Sequence, residues 1–176
     1  MYGFAPVVGG APKVLVLGTF PGLASREAEE YYAHPRNQFW RILYGILGEA
    51  YDAPSYRRKL QKLKEHGIAL WDMVASCETT GSADTEIQNP VLIDLPGFLR
   101  KNPSIQTVCF NGGNAARFAK KLGRLAVDSA VLPSTSPANA RYSLQQKEDA
   151  WRQVLAPALN YIELKYGGNK NANDEV

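Results

Sequence analysis

A chain of 176 residues, 45% hydrophobic and 21% charged, has the size and composition of a single globular domain with one substantial core. Its formal charge of +3 tolerates an anionic partner such as nucleic acid without requiring one. No apolar run reaches the roughly 20 residues of a membrane span, and residues 1–12 lack the basic start of a signal peptide. The two cysteines, Cys77 and Cys109, fall in no CxxC or Cys/His spacing, which argues against a zinc site or a disulfide framework. Two reduced, packed thiols in a cytoplasmic protein are the expectation.

Lys13-Val14-Leu15-Val16-Leu17 is a continuous aliphatic run ended by Gly18, the pattern of a strand buried on both faces. A loop with a short helical piece over 25–32 follows. Pro35 suits a first helical turn, and Phe39, Trp40, Leu43, Ile46 and Leu47 then recur at helical spacing until Gly48. Residues 55–66 predict a helix rich in Lys and Arg, stopped by Gly67, before a short strand at 68–71. The polar stretch 75–89 reads as a long loop, a place where compact domains often carry function. Beyond it come a helix around Pro96 (93–99), a strand (107–110), a helix (114–122), a strand (130–132) and a last helix (143–155). The basic side chains of 57–64 and 117–124 have the spacing of solvated helix faces. Strands alternating with helices predict an α/β fold, a three-layer α/β/α sandwich around a four-stranded, mainly parallel sheet. One domain is expected over 1–166, with a disordered polar tail over 167–176.

In open α/β sheets ligands bind beyond the carboxyl ends of the strands. Three strand exits here are unusual: Gly18-Thr19-Phe20-Pro21-Gly22, Asn111-Gly112-Gly113 and Pro133-Ser134-Thr135-Ser136-Pro137-Ala138-Asn139. A fourth segment, His34-Pro35-Arg36-Asn37-Gln38-Phe39-Trp40, puts an imidazole, amides and two large rings at a helix start. Asn111 offers a donor and an acceptor, enough to read a nucleobase edge, though it also suits a plain turn. Phe39 is expected to stack on a base or to pack in the core; Trp40 is assigned to the core. His34 is either a structural cap or a donor on a site wall. Asn37 either caps the helix or holds a water through its amide oxygen. No GxSxG elbow, Walker lysine motif, HExxH or GxGxxG is present, so no nucleotide cofactor or metal is expected.

With these residues in view, the chain resembles the uracil-DNA glycosylase superfamily. Gly18-Thr19-Phe20-Pro21-Gly22 is similar to its first motif and Leu132-Pro133-Ser134-Thr135-Ser136 to its second. HPRNQFW resembles the segment after the first motif in the mismatch-specific uracil/thymine branch, and Asn111 matches the base-reading Asn. Two positions depart from the best-known branches: Phe20 stands where they hold a water-positioning Asp or Asn, and Leu132 where they often hold His or Asn. Both departures, and Trp71-Asp72-Met73-Val74-Ala75-Ser76-Cys77 with Gly81-Ser82, resemble the hypoxanthine-DNA glycosylase branch.

The resemblance implies hydrolysis of the N-glycosidic bond of a deaminated base flipped out of DNA. Hypoxanthine is the expected substrate, with uracil or xanthine alongside. Asn37 and His34 form the implied catalytic set. Phe39, Phe20 and Asn111 bind the base, with backbone groups of Gly18 and Thr19 facing the charge that develops on it. Pro21, Gly22, Ser134, Thr135, Ser136, Asn139 and Arg141 form the DNA-contacting set. The implied enzyme is a monomer that needs no cofactor. The alternatives are a glycosylase for uracil or thymine in mismatches, and a non-catalytic nucleobase- or nucleic-acid-binding protein.

Overall fold

The computed structural model describes residues 1–79 and 87–160. Its main sheet has four parallel strands in the order β2-β1-β5-β6, formed by β1 (Val14–Gly18), β2 (Ile68–Asp72), β5 (Thr107–Asn111) and β6 (Asp128–Leu132). Every residue of β1 is buried, as its unbroken aliphatic run requires of a central parallel strand. Because strand side chains alternate, β1 serves two cores. Val14 and Val16 pack on one face with α2 (Phe39–Leu47), α3 (Tyr56–Glu65) and α6 (Leu144–Ala158). Leu15 and Leu17 pack on the other with α4 (Leu95–Lys101) and α5 (Gly113–Ala119). The expected α/β/α sandwich is present.

The helices begin and end where their chemistry allows. Ser55 caps α3 through its hydroxyl, and Ser143 and Gln146 form a reciprocal capping box at α6. Asp94 caps α4, with Pro96 in the first turn, where a missing N–H costs nothing. Replacing Ser143 with alanine is expected to cost about 1 kcal/mol in denaturant unfolding, and no change would contradict the capping account.

Three local expectations are corrected. The stretch 75–89 is not a plain loop: β3 (Val74–Glu78) and β4 (Gln88–Leu92) pair antiparallel, with residues 80–86 outside the described part. Polar residues hid this hairpin because one of its faces is open, as the exposed Gln88, Asn89 and Val91 show. The first helix, α1 (Leu23–Ala28), starts two residues early and stops before the Tyr pair, because Glu29 turns left-handed. Helix α2 starts at Phe39 rather than at Pro35. The expected tail over 167–176 lies outside the described residues. Cys77 and Cys109 are buried free thiols, and burial pushes the Cys109 thiol up to about 12.

Candidate active site

Four strand ends lie side by side along the carboxyl edge of the main sheet. Gly18 of β1 stands in register with Asp72 of β2, and Asn111 of β5 with Leu132 of β6. The loops leaving these ends enclose a cavity of about 730 Å³. This is ample for one nucleobase and its sugar. Its lining includes the Gly18–Gly22 loop, the loop of residues 134–139, and Tyr31, Tyr32, His34, Asn37, Asp72 and Asn111.

Two positions without a side chain let neighbouring segments pack closely at this edge. A Cβ on Gly18 would overlap Asp72 Oδ1 and lie 3.1 Å from the Tyr32 hydroxyl oxygen. Gly112 has φ +97°, and a Cβ there would stand 3.0 Å from Ser134 Cβ. Met73 N–H donates to the Gly18 carbonyl at 2.9 Å and Val74 N–H to the Thr19 carbonyl at 3.0 Å, which fixes the start of the first loop. Arg26 Nη1 donates to the Pro21 carbonyl at 2.6 Å, and its guanidinium lies 5.9 Å from the Phe20 ring. A cation therefore stands beside the loop.

Asn111 is held rigidly. Its Nδ2 donates to Thr135 Oγ1 at 2.9 Å and its Oδ1 accepts from Thr135 N–H at 2.9 Å. The pair of bonds fixes which end of the amide is oxygen, and each end keeps one further hydrogen-bonding position. Thr135 is 0% exposed, and its carbonyl accepts from Gln38 N–H at 3.0 Å. It is therefore a brace for Asn111 and for the entry to α2 rather than the DNA contact expected of it. Asn111→Ala leaves the Thr135 N–H and hydroxyl buried without this partner, and is expected to cost about 2 kcal/mol in chemical denaturation.

Asn37 Oδ1 accepts from Phe39 N–H at 3.0 Å, the capping role weighed for it, while its side chain also borders the cavity. A carbonyl oxygen has two lone pairs, so capping and holding a water are compatible. His34 Nδ1 accepts from Arg36 N–H at 3.1 Å, which leaves Nε2 to act as the ring's donor. Ser134 and Ser136 line the cavity, but their hydroxyl oxygens accept loop N–H groups, of Ser136 at 3.3 Å and Ala138 at 3.2 Å. Asn139 turns its amide inward to the Ser134 carbonyl at 3.0 Å.

Two expected residues stand elsewhere. Phe39 is 1% exposed and does not border the cavity. Its ring is wedged among Tyr32 (centroids 4.1 Å apart, 30° between planes), Trp40 (4.9 Å) and Trp151 (5.9 Å). The aromatic side chains on the wall are Phe20, as expected, with Tyr31 and Tyr32, and Phe39 backs Tyr32. Arg141 is exposed, its guanidinium over the Tyr142 ring at 5.4 Å and outside the cavity lining. Sequence reading missed Tyr32 and Asp72. Tyr32 has φ 55°, a left-handed backbone that a bulky residue adopts at a cost of about 1–3 kcal/mol. Asp72 ends a buried strand at the ligand-binding edge, the rule that exposed the other three exits; lacking a Gly or Pro neighbour, it drew no attention.

Lys147 ties the site together from behind. It is 2% exposed, and its ammonium donates to Gln38 Oε1 at 2.9 Å and to the Asn139 carbonyl at 2.8 Å. Trp151 Nε1 adds a bond to the Pro133 carbonyl at 2.9 Å. Helix α6 thus clamps the start of α2 to the 134–139 loop. Burial holds the Lys147 pKa below the ordinary 10.5. Between the depressed value and 10.5 the unfolded chain binds more protons, so stability tied to this lysine rises with pH. The stability difference between wild type and Lys147→Met is expected to move in favour of wild type as pH is raised through that window. Urea unfolding at several alkaline pH values measures it, and a flat difference refutes it. Among the described residues no group of three or more His, Cys, Asp or Glu side chains could hold a metal ion.

The model of the uracil DNA glycosylase superfamily matches residues 6–160, which include every wall of this cavity. The chain belongs to the uracil DNA glycosylase superfamily. Among curated proteins of that kind, it is 34% identical over 153 residues to a hypoxanthine DNA glycosylase of Methanosarcina acetivorans, covering 87% of this chain and 96% of that one. A hypoxanthine DNA glycosylase of Methanosarcina barkeri is 32% identical over 153 residues, with the same coverage. A solution NMR structure of a Methanosarcina acetivorans protein superimposes with a TM-score of 0.79 at 32% identity, covering 89% of this chain and 97% of that one. Gly18–Gly22 and 134–136, from the two segments that resemble the superfamily's motifs, line the same cavity.

Proposed function

We propose that this DNA glycosylase removes hypoxanthine from DNA, hydrolysing the N-glycosidic bond and leaving an abasic site. The observation that carries the reading is the convergence of Asn37, Tyr32 and Asn111 on one cavity at the carboxyl edge of the sheet. The names of the Methanosarcina relatives support the choice of base. The damaged nucleotide leaves the duplex and enters the cavity, where unstacking is offset by the Tyr32 ring. Asn111, held by Thr135, presents its remaining donor and acceptor to the base. As the glycosidic bond lengthens, the sugar gains cationic character and the base gains negative charge. A weakly activated water suffices to capture such a sugar. Asn37 at the cavity border holds that water through its amide, so Phe20 in the first motif does not preclude hydrolysis. His34, at the same border, offers its Nε2 donor to the departing base or to the adjoining phosphate. The enzyme acts as a monomer, and the 134–139 loop meets the DNA strand beside the flipped nucleotide.

The test uses labelled duplexes that each contain one hypoxanthine, xanthine, uracil or G-paired thymine, followed by alkali to cut abasic sites. Cleavage at hypoxanthine is expected to be fastest. Cleavage at uracil or thymine alone moves the assignment to the mismatch branch, and tight binding with no abasic product makes the protein a binder.

A further inference from the structure

We propose that Asp72 is the residue by which the cavity tells a deaminated purine from adenine: its carboxylate accepts the N1–H that hypoxanthine has and adenine lacks. This rests on the excision of hypoxanthine proposed above. Asp72 is the one carboxylate among the described residues that line the cavity. It is 4% exposed, closes β2 beside Gly18 in register, and sets an oxygen so near Gly18 that no side chain fits there. Asn37 and His34, by contrast, are only half-buried. Depth matters because the Watson–Crick edge of a purine lies farther from its glycosidic bond than that of a pyrimidine. A deeply buried group is the one placed to meet the purine edge, and half-buried groups are placed to meet the sugar.

The chemistry at that edge is a single sign change. Deamination of adenine turns ring N1 from a lone pair into an N–H donor. An ionised carboxylate is an acceptor only. It binds the N–H of hypoxanthine or xanthine and repels the lone pair of adenine. A buried acceptor left facing another acceptor is what gives a site strong rejection of the wrong base. Guanine shares the N1–H, so the contact separates adenine from its own deamination product and makes no distinction from guanine.

Binding to uncleavable probes tests the assignment. Each duplex carries 2′-fluoro-2′-deoxyinosine or 2′-fluoro-2′-deoxyadenosine opposite an abasic site, so that neither base is paired; a third carries a tetrahydrofuran and no base. Wild type is expected to prefer the inosine probe by about 10- to 100-fold, the scale of one hydrogen bond to a charged group. Asp72→Asn is expected to bring the two probes within about threefold while binding the tetrahydrofuran duplex as wild type does. Retention of the wild-type ratio in Asp72→Asn overturns the proposal, and so does an equal loss on all three duplexes, which marks a structural role. If Asp72→Asn does not fold, the wild-type protein decides with 1-deazahypoxanthine, which has C–H in place of N1–H. Weaker binding than to hypoxanthine by tenfold or more supports the contact, and equal binding overturns it. A wild type that excises uracil but not hypoxanthine defeats the functional reading itself, an outcome distinct from a hypoxanthine glycosylase whose selectivity survives Asp72→Asn.

Discussion

Asn37→Ala is expected to lower single-turnover excision of hypoxanthine by about 10²–10³-fold, the scale of removing one well-placed polar group from a transition state. Two effects must be separated. Asn37 Oδ1 also accepts Phe39 N–H, so the alanine variant loses a cap worth about 1 kcal/mol as well as the amide at the cavity border. Asn37→Asp keeps an acceptor in the same place and is expected to keep wild-type stability in denaturant. It should also exceed the alanine variant in rate by at least tenfold, because a carboxylate can hold the same water. An alanine variant with wild-type rate removes Asn37 from the chemistry. An alanine variant whose only defect is a lowered midpoint returns it to capping alone.

Phe39→Ala should instead weaken the fold. The ring is 1% exposed and packs edge-on against Trp40 and Trp151 and closely on Tyr32, so its removal opens a cavity in the core under α2 and α6. The expected loss is about 4 kcal/mol in urea unfolding. Tyr32→Leu tests the opposite assignment. Tyr32 is half-buried on the cavity wall, so losing the aromatic face is expected to weaken binding of the flipped base, with a much smaller loss of stability. If Phe39→Ala folds normally and loses base binding while Tyr32→Leu binds normally, the division between wall and core is reversed.

The relation of Tyr32 to Phe39 also shows why neighbours in sequence can be misassigned. Both are large rings within eight residues, and periodicity marks Phe39 as one of the residues repeating along α2. Periodicity says which side of a helix a ring occupies, but not whether that side meets core or cavity. Tyr32 has a left-handed backbone and its hydroxyl reaches Gly18 at the cavity edge, and nothing in the local composition announces a positive φ at tyrosine. Thr135 is a similar case. In the sequence it is one of several small polar residues after a strand; in the fold it is wholly buried, because Asn111 on the adjacent strand needs both of its hydrogen bonds.

The sequence specifies the parallel sheet through a β1 run too apolar to expose either face, and it marks the starts of α3 and α6 at Ser55 and Ser143 and the end of α2 at Gly48. It also determined three of the four strand exits that border the cavity, because loops that must bend sharply at a sheet edge declare themselves in Gly, Pro, Ser and Asn. The fourth, Asp72, emerges only once the chain is folded, as does the clamp of Lys147 on Asn139 and on Gln38, 109 residues before it in the chain. Local propensity reports what a residue does to its own stretch of backbone. Which distant groups share a cavity, and which of them are buried there, depends on strand order and register, and those are set by the packing of the whole sheet.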